Sequence, residues 1–181
     1  MPGPDRRRFL TTLVATIPAL SVASALPDKG SSGLKVAADQ DRFGKTRAIG
    51  FNSTAFKIGT ADTQGALFMM EQHSKKPGGP PLHLHHAQDE VWYVVSGEYL
   101  FQVGADQFHA RTGDCLLGPR GVPHAYAFVG PAAGKLLVIF TPAGRMQDYF
   151  ERPRTPGTYV ADAALYREYG MELLGPPLSL K

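Results

Sequence analysis

The chain has 181 residues, and its 43% hydrophobic and 19% charged residues exclude a disordered or fibrous protein and suit one domain with an appendage. Setting residues 1–25 aside removes three arginines and one aspartate from 19 basic and 16 acidic residues, so the net charge of +3 falls to about +1. The remaining basic residues form no stripe and no run interleaved with aromatics, which argues against nucleic-acid binding.

The N-terminus reads MPGPDRRRFLTTLVATIPALSVASALP. A charged segment precedes a short apolar one, Phe9 to about Val22, that threonines and Pro18 interrupt, which is too short for a spanning helix. Ala23-Ser24-Ala25 supplies the small residues of a cleavage site, so residues 1–25 read as an export signal with no membrane segment left after cleavage. Arg6-Arg7-Arg8-Phe9-Leu10 resembles the twin-arginine signal, although Asp5 and Thr11 depart from its usual flanks. The resemblance implies export of a folded chain to a periplasmic or secreted location, with any metal acquired beforehand.

Residues 26–46 are polar and predict a flexible lead-in. From 47 to 142 short apolar runs recur between turn signals: GFNSTAFKIG, ALFMMEQ, EVWYVV, YLFQVG, QFHAR, DCLLGP, HAYAFV and KLLVIFTP. With 20 glycines and 15 prolines in the chain, this spacing predicts an all-β sandwich or barrel and no α/β layering. The one cysteine, Cys115, precludes an internal disulfide and reads as a small buried hydrophobe within GDCLLGP. In 143–181, Met146, Tyr149 and Phe150, then Ala164, Leu165 and Tyr169, fall at helical spacing before Pro153 and Gly170. Two short helices packing outside the barrel are expected, with their aromatics as packing residues.

The segment PLHLHHAQDEVWYVVSG crowds three of six histidines against a strand-like run. Side chains alternate along a strand, so His83 and His85 share one face while Leu84 and His86 take the other. A turn through Ala87 to Asp89 can return Glu90 to that face, with Trp92 and Val94 inward and Tyr93 outward. In GDCLLGPRGVPHAYAF, the Pro119-to-Pro123 turn delivers His124 on a new strand, with Tyr126 and Phe128 on its face. Three imidazoles and a carboxylate suit a single divalent transition metal (Fe, Mn, Ni, Cu or Zn) and leave two positions open on an octahedral ion. His73 and His109 lie on other strands and read as surface or structural residues.

These two segments resemble the cupin motifs. His83-x-His85, four residues, Glu90, six residues and Gly97 follow the first, with Pro77 where its leading glycine stands. Gly113, Pro119, Gly121 and His124 follow the second, with Phe128 in place of its asparagine. The resemblance covers about residues 55–142 and implies a cupin double-stranded β-helix (jelly-roll) barrel over 47–142. It assigns His83, His85, Glu90 and His124 as metal ligands and implies a dimer through barrel edges.

Within the cupins the chain looks most like the quercetin-dioxygenase-like branch. That likeness implies dioxygenase chemistry on a small chelating, possibly aromatic, substrate, with Glu90 as catalytic base. Trp92, Phe101, Tyr126 and Phe128 are expected to line the substrate site. The chain carries no arginine cluster or phosphate loop for a sugar phosphate. An oxygen-independent isomerase or lyase, and a non-catalytic small-ligand or metal-binding cupin, stay open as alternatives.

Overall fold

The structure is a computed structural model that describes residues 33–50, 52–153 and 161–180. The expected signal segment, residues 1–25, lies outside the described residues.

Eleven strands follow in chain order: β1 Arg47–Ile49, β2 Asn52–Ile58, β3 Phe68–Ser74, β4 Pro81–His85, β5 Asp89–Ser96, β6 Glu98–Val103, β7 Asp106–Arg111, β8 Cys115–Gly118, β9 His124–Phe128, β10 Gly134–Thr141 and β11 Met171–Pro177. A short 3-10 turn spans Thr60–Thr63, and the helices are α1 Met146–Glu151 and α2 Ala163–Glu168. The strands form two antiparallel sheets in the orders β1-β2-β3-β10-β5-β8 and β11-β4-β9-β6-β7. This is the all-β, two-sheet architecture of a jelly roll that the sequence predicts.

Period-two patterning decides which residues meet between the sheets. Glu90, Trp92 and Val94 of β5, Leu136, Val138 and Phe140 of β10, and Pro81, His83 and His85 of β4 are buried, whereas their alternates are not. All five residues of β9 are buried. Phe56, Phe68, Tyr99 and Phe101 complete an aromatic core in which Phe56 and Phe68 meet edge to face at 4.8 Å.

Three expectations change. The lead-in is fastened from Asp39 onward rather than slack. Asp41 accepts hydrogen bonds from the backbone N–H of Phe43 and of Phe56, both at 2.8 Å, and pairs with Arg47. Arg42 N–H donates to Phe56 O at 2.7 Å, and Lys135 reaches Asp39 at 2.7 Å. Cys115 is exposed, because β8 is a four-residue edge strand whose alternate positions face outward. Last, the C-terminal segment is not helical throughout: β11 pairs with β4 and joins the barrel, placing Met171 opposite His85 and Leu173 opposite His83.

Both helices occur where the spacing predicts. Asp162 caps α2 by accepting from Ala164 N and Leu165 N at 2.9 and 3.1 Å. Arg145 donates to Glu168 O at 2.8 Å, and Gln147 Oε1 accepts from Thr60 N at 2.6 Å, so the helices are tied to one another and α1 to the 3-10 turn. No helix of the described residues is long and apolar enough to cross a membrane.

Candidate metal centre

Neighbouring strands of one sheet and a turn in the chain bring the two motifs together. His83 and His124 face each other as register partners of β4 and β9, and their ring centroids are 4.7 Å apart. His85 ends β4, and its carbonyl accepts from Gly121 N at 2.7 Å. Gly121 has φ +73°, a left-handed conformation that glycine adopts without strain, so the turn before His124 can double back onto His85. Glu90, the second residue of β5, stands opposite Gly118 of β8. A Cβ at Gly118 would stand 2.5 Å from the Trp92 ring, so only glycine leaves that ring its place.

Each of His83, His85, Glu90 and His124 is buried and offers a donor atom, all within 4.8 Å of one another. Glu90 Oε2 lies 3.1 Å from Nε2 of His85 and 3.1 Å from Nε2 of His124. Trp92 Nε1–H donates to Glu90 Oε1 at 2.9 Å and fixes the other side of the carboxylate.

The tautomers follow from the backbone. Nδ1 of His83 is 2.8 Å from Pro81 O, and Nδ1 of His124 is 3.0 Å from Val122 O. A carbonyl only accepts, so both Nδ1 atoms carry protons, and any lone pair that either ring offers lies on Nε2. Burial pushes the His83 imidazole down to about 3, aided by the neighbouring His85 and His124 rings, which keeps it neutral. Burial alone would raise the Glu90 carboxyl, but hydrogen bonds and charge from the His124 and His85 rings, when these carry a proton on Nε2, outweigh it and hold the carboxyl below the usual carboxylate range.

A ring of His124 without a proton on Nε2 would set a lone pair against a carboxylate oxygen, acceptor against acceptor at 3.1 Å. That contact is repulsive unless a cation is shared there, either a proton on the ring or a metal ion. Two donors bound at right angles to one ion at ~2.1 Å stand about 3 Å apart, close to the separation found. His85 adds a buried Nδ1 with no hydrogen-bond partner among the described residues. The donor set fits a divalent transition ion held by His83, His85, Glu90 and His124.

A cavity of about 40 Å³ adjoins these ligands. Its walls include Met70 and Gln72 of β3, Tyr126 of β9, Phe140 of β10, Tyr149 of α1 and Tyr166 of α2. Met146, Phe150 and Met171 also line it, and no lysine or arginine does among the described residues. The Tyr166 ring stands 5.5 Å from that of His83.

Of the four aromatics expected at the substrate site, only Tyr126 lines this cavity. Trp92 sits behind Glu90 as its hydrogen-bond donor, and Phe101 packs against Trp92 at 5.3 Å within the core. Phe128, at the family's asparagine position, fills a niche made by glycines: a Cβ at Gly134 would stand 2.6 Å from its ring. The helices depart from expectation in the opposite direction, since Met146, Tyr149, Phe150 and Tyr166 wall the cavity. Their spacing was visible in the sequence, but the surface they cover was not. Gln72 and Met70 had one available signal, a period-two alternation within FMMEQHS. As expected, His86 is exposed, and His73 sits on β3 beside Glu71.

Residues 70–140 match the family model described as a cupin domain, and this match, together with the fold, supports the cupin superfamily. An uncharacterized protein of Streptomyces coelicolor is 37% identical over 57 residues, covering 32% of this chain and 53% of that protein. An uncharacterized protein of Methanocaldococcus jannaschii is 27% identical over 67 residues, covering 37% and 54%. The chain thus spans about half the length of the curated relatives it matches. Among solved structures, a Streptomyces nucleoside dehydratase aligns with TM-score 0.50 at 14% identity, covering 65% of this chain and 88% of its own. An RmlC-like cupin from Shewanella frigidimarina aligns with TM-score 0.49 at 22% identity, covering 62% and 93%. At these identities the likeness is one of fold.

Proposed function

We propose that this chain is an exported metal-dependent oxidoreductase of the dioxygenase type, acting on a small chelating substrate. The observation that carries the reading is the convergence of three buried imidazoles on a buried carboxylate beside a cavity. When bound, a redox-active divalent ion would supply Lewis acidity and electron transfer toward dioxygen. The rest falls to the chain's own side chains. Glu90, ionised and steadied through Oε1 by Trp92, is placed to take a proton from a substrate hydroxyl. Met70, Phe140, Met146 and Phe150 keep bulk water from the cavity, which strengthens every charge interaction inside it.

The lining narrows the substrate class. Apolar and aromatic side chains with a few polar groups beside the carboxylate suit a small uncharged molecule such as an enediol or hydroxycarbonyl. Export rests on the arginine-led segment at the N-terminus.

The test is metal analysis of the purified protein, followed by oxygen uptake with small enediols and catechols on iron-, manganese-, nickel- and copper-loaded samples. Metal-dependent uptake is expected. Turnover under anaerobic conditions would transfer the protein to the isomerases and lyases, and tight binding without turnover would make it a binding module.

A further inference from the structure

Gln72 points from β3 into the barrel and is only 2% exposed. One end of its amide is engaged, since Oε1 accepts a hydrogen bond from the Tyr126 hydroxyl. That bond joins the six-stranded sheet to the five-stranded one. The other end, Nε2, donates no hydrogen bond to any described residue. An amide has two N–H donors, and leaving them unpaired in a protein interior is costly. Here they are not sealed off, because Gln72 lines the same cavity as His83, His85 and Glu90.

The electrical character of that cavity is equally informative. Glu90 is its one carboxylate, and no lysine or arginine lines it among the described residues. A carboxylate or phosphate on a substrate would find no cationic side chain there. A neutral oxygen would find an amide donor.

We infer that the Gln72–Tyr126 pair is the specificity element of this cavity, with the Gln72 amide donating to a carbonyl or hydroxyl oxygen of a small, uncharged α-hydroxycarbonyl or enediol. This rests on the metal reading above, because the substrate's second oxygen is the one that meets the ion. Tyr126 holds the amide in one orientation, so that the N–H groups face the cavity whenever the phenol donates to Oε1. A cross-sheet brace alone would need no free donor, and two apolar side chains would fill the space without the desolvation cost.

The experiment uses cobalt(II)-loaded full-length protein, with hydroxyacetone as the neutral probe and acetate as an anion of similar size. Binding is read from changes in the cobalt visible absorption, alongside cobalt affinity and Tm. Gln72→Met is expected to weaken hydroxyacetone about tenfold while changing cobalt affinity less than about twofold. Tyr126→Phe, which keeps the ring and releases the amide, is expected to weaken it about threefold and serves if the first variant does not fold. Unchanged hydroxyacetone affinity in a folded variant, even with a lower Tm, would make the pair a brace and overturn the inference. Tighter binding of acetate than of hydroxyacetone by the unaltered protein would also overturn it. Failure of the unaltered protein to take up cobalt would instead remove the metal reading, and this inference with it.

Discussion

Among the described residues two clusters gather acidic groups and histidine closely enough to hold an ion: His83, His85, Glu90 and His124 inside the barrel, and Asp39, Glu71 and His73 on its outer face. They differ in what already balances the charge. Lys135 Nζ lies 2.7 Å from Asp39 and 3.6 Å from Glu71, and Lys57 Nζ lies 3.7 Å from Glu71. The outer cluster therefore brings its own cations, and Asp39 remains 64% exposed. Among the described residues no ammonium or guanidinium group lines the inner cluster's cavity, and backbone carbonyls engage Nδ1 of two of its rings. Proximity alone makes the outer cluster a fastener for the lead-in. Burial and the want of a balancing cation among the described residues make the inner one the cluster that could hold a metal ion.

Removing a ligand should separate the two most sharply. His124→Ala is expected to lower divalent-metal affinity by more than about 100-fold in chelator competition, while His73→Ala leaves it within about twofold. Equal losses in both variants would break the distinction.

Asp41, beside the outer cluster, tests the fastening role. Asp41→Asn is expected to cost about 2 kcal/mol in denaturant unfolding without altering metal affinity. Burial would raise the Asp41 carboxyl, but the Arg47 hydrogen bond and those from the amides of Phe56, Lys45 and Phe43 outweigh it and lower its titration. A lowered folded value means the stabilisation is present above the unfolded value of about 3.9 and is lost as pH falls through the folded one. The two proteins should thus converge in stability as the solution is acidified below about pH 4.

A smaller effect is expected behind the metal centre. Trp92→Phe keeps most of the ring but loses the donor to Glu90 Oε1, and should weaken metal binding about tenfold. Smallest of all, Lys135→Met at the outer cluster should shift Tm by less than about 3 °C, since its partner Asp39 is exposed to solvent.

The clustering of His83, His85 and Glu90 was legible because their spacing is local: alternation puts His83 and His85 on one face, and a tight turn returns Glu90 to it, while His124 was legible only through the second motif. The strands from 47 to 142 were legible for the same reason. What escaped were contacts between segments distant in the chain. MELLGPP shows too little alternation to announce a strand, and it becomes one only where the free edge of β4 receives it. Nor does helical spacing say which surface Tyr149 and Tyr166 will cover. Trp92 and Phe101 were correctly placed inward, yet facing inward did not bring them to the cavity, because the barrel is filled solidly beyond Glu90.

The pairing of β11 with β4 bears on what completes the site. The strand that carries His83 and His85 gains its outer neighbour only from residues 171–177, with Met171 opposite His85 and Leu173 opposite His83. Two imidazoles of the inner cluster are thus braced by a segment far along the chain from either histidine motif, and a change that loosens β11 would reach the cluster without touching any of its four side chains.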